Sequence, residues 1–534
     1  MPLNLADPEE MPVYKLPDAQ IAIRFELPFA GKLTPNNRWV RLAHIIPWDE
    51  LEEISRYRKN FGKTGNPALP FRVAFGALII QTRLKTSDEE TVEQVRENPY
   101  LQCFLGLEKY EDGPPFSASL LVHFRKRLSG EILNKLNLKV LELDRNLKTA
   151  GFPDQAKTGE KDHRDKDDQD GSGPGIPDET AGPVEGQEFG TEPAETPSPA
   201  GTLILDATCA PADIAYPTDL RLLNKAREKA EKLIDIIHER SGKILPKPRT
   251  YRNEARKNFL RASKQRRLRG KKLRNALKHQ LGYVRRDLKH IDAMLARYGE
   301  TTLSEKETER LEVVRTVYRQ QLEMYQKKTH RVDNRIVSID QPHIRPIVRG
   351  KARTDVEFGA KIALAIDNGY ALIDRLSWDN FNEGPTLIRS VEAYFDRHGY
   401  YPEVVCADQI YRNRENIRYC KAKGIRFSGP RLGRPPADPQ KSRENKRIER
   451  EDTGARNAVE GKFKEAKRAY GLGCVRGKLK ETSETIIMLQ FMVMNFWGML
   501  RSFLSRISGW FKRAKRPVST SLAELVIHSL ATSA

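Results

Sequence analysis

The chain has 534 residues, 38% hydrophobic and 31% charged, and its 93 Lys and Arg against 72 Asp and Glu give a formal net charge of +21. This composition indicates a folded protein with a highly charged surface, and the length suits about two to four folded units. The five cysteines lie far apart and form no CxxC pair, which argues against a zinc ribbon or disulfide scaffold and favours a reducing compartment. We expect no secretory signal, because the first residues lack a basic segment followed by an apolar one. The positive balance indicates a polyanionic partner, most often nucleic acid.

The charge is unevenly distributed along the chain. Residues 152–201 hold 13 acids and four bases, are rich in Pro and Gly, and contain almost no large apolar side chains. Such a segment cannot bury enough surface to offset its ordering entropy, so we predict a disordered acidic linker at 151–200. Residues 243–289 hold 18 bases and two acids. That run is typical of a surface that binds the DNA backbone, although a solvated helix face is the alternative.

The region before the linker, residues 1–150, is predicted to be a helical domain that binds DNA or mediates dimerisation. Apolar residues recur at helical spacing in 48–58 and 71–85, and 119–143 is also predicted to be helical. Ser87 followed by Glu90 is a capping box that predicts the start of another helix.

After the linker, TLILDAT (202–208) predicts a short strand ending in an acid, Asp206. A basic helical hairpin insertion is predicted at 240–335, with Ser304 and Glu307 capping its second helix. Apolar side chains of its first helix alternate steps of four and three, as in a coiled-coil seam. These are Leu277, Leu281, Val284, Leu288, Ile291 and Leu295.

The remaining segments predict a mixed α/β sheet. Two alternating strands flank Asn368-Gly369, the signal of a tight β-hairpin. PEVVCAD (402–408) predicts another strand ending in an acid, Asp408, and the two acid-bearing strands are expected to lie side by side. Helices are predicted near 383–397, 413–423, 453–470 and 481–503. The apolar run 486–500 is too short and too polar to span a membrane, so we predict a buried core helix.

Asp206 and Asp408 are candidates for metal-dependent phosphoryl transfer, because Mg²⁺ prefers carboxylate oxygens and strands hold them rigidly. The alternative is that each acid simply begins a turn or caps a helix. Glu460 is a third candidate. Arg456, Glu460 and Lys467 share one helix face, since they lie within about 40° of one another around a 3.6-residue turn. The alternative there is a solvated Arg–Glu pair.

Several motifs, in order along nearly the whole chain, resemble the DDE transposases of bacterial insertion sequences. LILDATCAPADIAYPTDLRLLNKARE (203–228) resembles the family's first-acid segment, RGKARTDVEFGAKIALA (349–365) a strand entry, and VVCADQIYRNREN (404–416) the second-acid segment. The Arg456-x3-Glu460-x6-Lys467 spacing is similar to the third-acid helix. IIPWDELEEI, SDEETVEQVRENPYLQCFLGL and PPFSASLLVHFRKRL resemble the N-terminal domain.

The resemblance implies a ribonuclease H-like catalytic core at 201–510, a mixed five-stranded sheet with helices, carrying the helical insertion and followed by a tail at 511–534. It implies that Asp206, Asp408 and Glu460 are catalytic and bind Mg²⁺ or Mn²⁺, with two ions expected. Arg456 and Lys467 would contact DNA or the scissile phosphate. Further DNA contacts are predicted for the basic cluster, which comprises Arg266, Arg267, Arg269, Lys271, Lys272 and Arg274.

The implied enzyme is a DDE-type DNA transposase that cleaves double-stranded DNA at terminal inverted repeats and joins it to target DNA. Its expected location is the bacterial cytoplasm, on the nucleoid, without a membrane association. We expect a homodimer or larger assembly, because both element ends must be held together.

Two departures from the family pattern bear on this assignment. Thr453 stands where the family has a tyrosine three residues before the arginine, and Gln409-Ile410 replaces a common Arg-Gly or Lys-Gly. Two alternatives therefore stay open: an inactive or domesticated DNA-binding relic, and a ribonuclease H-type nuclease acting on RNA or hybrids.

Overall fold

The computed structural model describes residues 13–14, 31–61, 67–149, 198–244, 246–348, 356–429 and 439–513. Nearly all of the predicted acidic linker, and the predicted tail from 514 onward, lie outside the described residues. Two short strands, Val13–Tyr14 and Pro67–Ala68, pair in parallel.

The described part of the N-terminal region is mainly helical, as predicted. The Ser87 side chain accepts a hydrogen bond from the Glu90 amide and caps a helix at the expected place. The single helix predicted at 119–143 is divided in two, because the chain leaves helical geometry at Leu128. The helices are α1 (Arg38–Ile45), α2 (Trp48–Ser55), α3 (Phe71–Leu84), α4 (Asp88–Glu97), α5 (Pro99–Leu105), α6 (Ala118–Arg127) and α7 (Gly130–Thr149).

A mixed sheet forms the centre of the fold. Its strands are β1 (Thr202–Pro211), β2 (Arg345–Val348), β3 (Val356–Asp367), β4 (Tyr370–Ser377), β5 (Val404–Ala407) and β6 (Arg426–Phe427). The order is β2–β3–β1–β5–β6, and β4 pairs with the same edge of β3 as β2 does. β1, β5 and β6 are parallel, whereas β3 is antiparallel to β1.

Two strand predictions need correction. The sheet has six strands, not five, because β3 is longer than its pairing with β4 and its first residues pair with β2 instead. Asp206 does not end its strand. β1 continues to Pro211, because β3 offers antiparallel partners as far as Gly359.

The β3–β4 hairpin is confirmed. Asn368 and Gly369 form its turn with φ angles of 50° and 83°. Both angles are in the left-handed region that a tight two-residue turn requires and that Asn and Gly tolerate best.

Four helices lie between β1 and β2. They are α8 (Asp219–Arg240), α9 (Arg252–Ser263), α10 (Gly270–Tyr298) and α11 (Glu305–Lys327). Three of them, α8, α10 and α11, form a bundle with a core of its own against which α9 packs. The predicted pair is present as α10 and α11, and Ser304 and Glu307 form the expected capping box. The seam of α10 packs mainly on α8, however, which the sequence analysis did not identify as a helix. A third helix is needed because a two-helix hairpin would leave much of the seam in water.

The last helices are α12 (Thr386–His398), α13 (Arg414–Ala422), α14 (Pro439–Ala469) and α15 (Lys480–Arg513). α15 contains the segment Lys480–Arg506, which is long and apolar enough to cross a membrane, but 72% of its most apolar window is buried inside the protein. It packs against α1, α3, α6, α7 and β4. The prediction of a core helix is therefore confirmed, and α15 joins the N-terminal helices to the sheet in one continuous core.

Asn495 provides a test of this junction. Its fully buried amide accepts a hydrogen bond from the Ala371 amide at 2.9 Å and donates to the Asn137 side chain and the Ala371 carbonyl, each at 2.8 Å. We expect Asn495→Ala to lower the free energy of unfolding by about 2–4 kcal/mol, because buried polar groups on α7 and β4 lose their partner. Denaturant unfolding measures the change. Ser502→Ala, on a partly exposed position of α15, is the control, and equal effects of both variants would contradict this account.

Candidate active site

The parallel pairing of β1 with β5 brings Asp206 and Asp408 together. Leu205 lies opposite Ala407 in the register, so the next residue on each strand is an aspartate at the same level of the sheet. Asp206 is partly buried within β1, and its Oδ1 accepts a hydrogen bond from the Ala207 amide at 2.7 Å. Asp408 begins a short 3₁₀ turn, and its Oδ1 accepts from the Gln409 amide at 2.6 Å.

Helix α14 adds a cation to this pair. It packs against β1 and β5 through an apolar stripe that includes Val459, Phe463 and Ala466. Arg456, on the same helix, lies with its Nη2 3.3 Å from Asp408 Oδ1. Two carboxylates and one guanidinium, separated by up to 250 residues in sequence, therefore converge at the C-terminal end of β5.

The site has an excess of negative charge around Asp206. The pKa of Asp206 is raised to about 6, mainly by burial and also by the nearby carboxylates of Glu383 and Asp408, while the hydrogen bond from the Ala207 amide and the charge of Arg456 oppose the change. The charged form of Asp206 is therefore less favoured than that of an ordinary aspartate, and a nearby cation would favour it. Divalent magnesium is held in many enzymes by one or two carboxylates together with substrate phosphates, so the donor chemistry of Asp206 and Asp408 fits such an ion. In the described part of the chain, no three Asp, Glu, His or Cys side chains converge to hold a metal.

Glu460 lies one turn beyond Arg456 on α14, as its spacing predicts. Its side chain is 59% exposed, and its carboxylate lies 3.8 Å from the Lys464 ammonium. Within the residues described, no hydrogen bond or ion pair joins Glu460 to Asp206 or Asp408. Lys467 is partly buried two turns along the same helix. The structure thus brings together two of the three candidate acids.

The two departures from the family pattern lie beside this site. The Thr453 hydroxyl donates to the Glu449 carbonyl at 2.7 Å, a bond to its own helix. Ile410 is 51% exposed in the turn that follows Asp408.

The basic cluster occupies the α9–α10 turn and the first turns of α10. Five of its members are exposed, namely Arg266, Arg267, Arg269, Lys271 and Lys272. Arg274 differs from the others because it is partly buried. Its guanidinium donates to the Tyr325 backbone carbonyl at 3.2 Å and lies 4.2 Å from the centre of the Tyr325 ring. Arg274 therefore fastens α10 to α11.

A groove of about 1630 Å³ separates the helical bundle from the edge of the sheet. Leu268 and Leu273, which lie between members of the basic cluster in sequence, line one side, and Tyr216 and Phe358 line the other. Tyr216 is 70% exposed and stands edge-on to Phe358 with ring centres 5.6 Å apart. The groove is thus bordered by cations and by an accessible aromatic ring, both suited to a nucleic acid.

Sequence reasoning missed Glu383, the carboxylate that contributes most among the charges raising the Asp206 pKa. It lies in the loop between β4 and α12, and Lys361 Nζ lies 2.8 Å from its Oε1. A signal was present, since Lys361 is a charged residue inside the otherwise apolar strand AKIALAI.

Two family models match the chain. Residues 28–127 match a transposase domain of the DUF772 type, and residues 405–497 match a transposase DDE domain. These two matches support a DDE transposase of an insertion sequence. The DDE match includes Asp408, Arg456, Glu460 and Lys467 but begins after Asp206, whose position beside Asp408 follows from strand pairing alone. DDE transposases generally use divalent metal ions and bind DNA.

A curated relative of this transposase comes from Rhizobium meliloti, an uncharacterised protein described as ORF8 in the nfe locus. It is 35% identical over 104 residues, which cover 20% of this chain and 49% of the relative. The chain therefore spans about half the length of that relative. No solved structure shows significant similarity to the chain.

The raised pKa of Asp206 predicts a pH dependence of stability. Its pKa in the folded state, about 6, exceeds the ordinary 3.8, so the folded protein binds more protons between those values and stability falls as pH rises through them. We expect the free energy of unfolding of the wild type, relative to Asp206→Asn and with a chelator present, to fall by on the order of 2 kcal/mol between about pH 4 and pH 7.

Denaturant unfolding across this pH range measures the difference. Asp396→Asn, at an exposed position of α12, is the control and should follow the wild type. A constant difference between wild type and Asp206→Asn would show that Asp206 ionises normally in the folded protein.

Proposed function

We propose that the chain is an active transposase that cleaves DNA at the ends of its insertion sequence, in a metal-dependent reaction, and joins the cut ends to target DNA. The observation that carries this proposal is the convergence of Asp206, Asp408 and Arg456 where β1 and β5 pair in parallel. Intact acids at both positions argue against an inactive relic, and the separate N-terminal transposase domain argues against a ribonuclease H-type nuclease.

The strand order supports a ribonuclease H-like core. An antiparallel hairpin strand, β3, lies next to β1, and β5 and β6 follow on the other side of β1 in parallel. This is the arrangement expected of such a core, with the first acid on β1 and the second directly after β5.

In the proposed mechanism, Asp206, Asp408 and Glu460 hold the divalent ions, Mg²⁺ or Mn²⁺. The ions, when bound, activate the attacking oxygen and stabilise the leaving oxygen of an in-line displacement. Glu460 is assigned as the third ligand because it lies on the helix that packs against both acid-bearing strands. Its exposed side chain has other rotamers available that turn it away from Lys464.

The chemistry needs no covalent enzyme intermediate. A water oxygen attacks the phosphorus at the element end, and the 3′-oxygen leaves with a proton as a 3′-OH. That 3′-OH then attacks a phosphorus of the target strand, forming a new phosphodiester while the target's own 3′-oxygen leaves. Arg456 and Lys467 would neutralise phosphate charge and hold the scissile strand against the acids.

The proposed substrates are the terminal inverted repeats and the target duplex. The basic cluster and the groove beside it support a path for the DNA between the bundle and the sheet. Because two ends must be brought together before joining, we propose a dimer or larger assembly, acting on nucleoid DNA in the bacterial cytoplasm.

Cleavage of duplex DNA carrying the gene's own flanking repeats tests the proposal. With Mg²⁺, we expect the wild type to nick at the repeat ends and Asp408→Asn and Glu460→Gln to lose at least about a hundredfold in rate. DNA binding, measured by mobility shift, should persist in both variants, since neither change removes a cation.

Glu465→Gln is the matched control for Glu460→Gln, because both residues lie on α14 and Glu465 pairs with Arg501. Its cleavage rate should be unchanged. Binding without a cut in the wild type would support the relic, and preferred cleavage of an RNA–DNA hybrid would support the nuclease.

The five exposed members of the basic cluster have a separate test. Replacing Arg266, Arg267, Arg269, Lys271 and Lys272 with Gln should reduce the slope of log affinity against log salt by up to about 4.5, because each phosphate contact contributes about 0.9. Fluorescence anisotropy with duplex DNA at several salt concentrations measures the slope. Lys306→Gln/Arg310→Gln, at the opposite end of α10–α11, is the control, and an equal change in both proteins would locate the DNA elsewhere.

A further inference from the structure

The loop between β4 and α12 is fastened beside the acid pair. Asn416, which is buried, donates from Nδ2 to the Gly384 carbonyl at 2.8 Å and to the Tyr411 carbonyl at 2.7 Å. One side-chain amide therefore joins this loop to the turn that begins at Asp408. A Cβ on Gly384 would lie only 3.1 Å from the Ile410 carbonyl oxygen, so the two segments are closely packed.

Glu383 precedes Gly384 and is therefore placed next to the site by the backbone itself. Its side chain is 16% exposed and is paired with Lys361, which is 11% exposed, at 2.8 Å. Lys361 Nζ also donates to the Phe381 carbonyl at 2.7 Å and lies 4.9 Å from the centre of the Phe381 ring. The carboxylate is thus oriented by a lysine that is itself held by the same loop.

The charge of Glu383 acts on Asp206. After burial, it is the larger of the two carboxylate effects that raise the pKa of Asp206, ahead of Asp408. Tyr411 is fully buried in the turn after Asp408. Burial raises the pKa of its hydroxyl, and the charges of Glu383 and Asp206 raise that pKa further, so the three side chains lie near one another. The packing of its loop on the turn after Asp408 therefore places Glu383 close enough to the acid pair for its charge to act there, although Lys361 accompanies it.

We infer that Glu383, oriented by Lys361 and by the Asn416-bound loop, is a positioning residue of the active site whose negative charge strengthens divalent-cation binding at Asp206 and Asp408. This inference rests on the proposed function, because it requires that the two aspartates bind a cation. A fixed charge outside the ligand shell attracts the ion without occupying one of its coordination positions, which leaves those positions to phosphate and water.

Binding of Mn²⁺ to the full chain without DNA tests the inference. Titration followed by the electron paramagnetic resonance signal of free Mn²⁺ gives the dissociation constant. We expect Glu383→Gln to raise it about tenfold and Glu383→Asp, which keeps the charge, to stay within about twofold of the wild type. Glu52→Gln is the matched control, since Glu52 is a buried glutamate in a 2.8 Å salt bridge with Arg58 of the N-terminal helical region. It should bind Mn²⁺ as the wild type does.

A fourth variant separates the charge of Glu383 from its effect on Lys361. In Lys361→Gln/Glu383→Gln the ion pair becomes a neutral pair of similar size, which also keeps the fold testable if the single variant is unstable. Continued weak binding in the double variant supports the inference. Recovery of wild-type affinity would overturn it, because Glu383 would then only mask Lys361.

The remaining outcomes are also decisive. Equal weakening by Glu383→Gln and Glu383→Asp would overturn the inference, since the length of the side chain and not its charge would then matter. Wild-type affinity in Glu383→Gln would overturn it as well. If Asp408→Asn binds Mn²⁺ as tightly as the wild type, the proposed metal site itself fails, which is a distinct result.

Discussion

The parallel pairing of β1 with β5 is the constraint on which the candidate active site depends. Their register aligns two aspartates that are about 200 residues apart in sequence. β1 pairs with a strand on each edge, and its residues on both faces are buried, so its backbone hydrogen bonds and its packing together leave little freedom to slip. The distance between the two carboxylates is consequently a property of the sheet.

The helical bundle illustrates how such a long connection is tolerated. α8, α10 and α11 bury their apolar faces against one another and form a core separate from the main one. The bundle thus obtains its stability from its own packing and does not require the sheet to deform. Its basic turn precedes a 29-residue helix, α10, and continues into the first turns of that helix.

α15 connects the N-terminal helices to the sheet. Its apolar face is long enough to pack against α1, α3, α6 and α7 while also contacting β4. The buried Asn495–Asn137 pair orients this packing, since an amide in the core is stable only where its partners are positioned. The two regions that match transposase domains are therefore held together by a helix from the last part of the described chain.

Local patterns in the sequence determined a large part of this protein. The Ser87 and Ser304 caps, the Asn368-Gly369 turn, the apolar run of α15 and the seam of α10 were all identified correctly, because each depends on residues within a few positions of one another. Motif spacing also identified Asp206, Asp408, Arg456 and Glu460 as candidates. Long-range pairing decided the rest. Four features depend on segments that are distant in sequence: the length of β1, the packing of α10 on α8, the contact of Arg274 with Tyr325 and the approach of Glu383 to Asp206. The pattern of polar and apolar residues along the chain does not specify which distant backbone groups will pair, so these features could not be predicted from it.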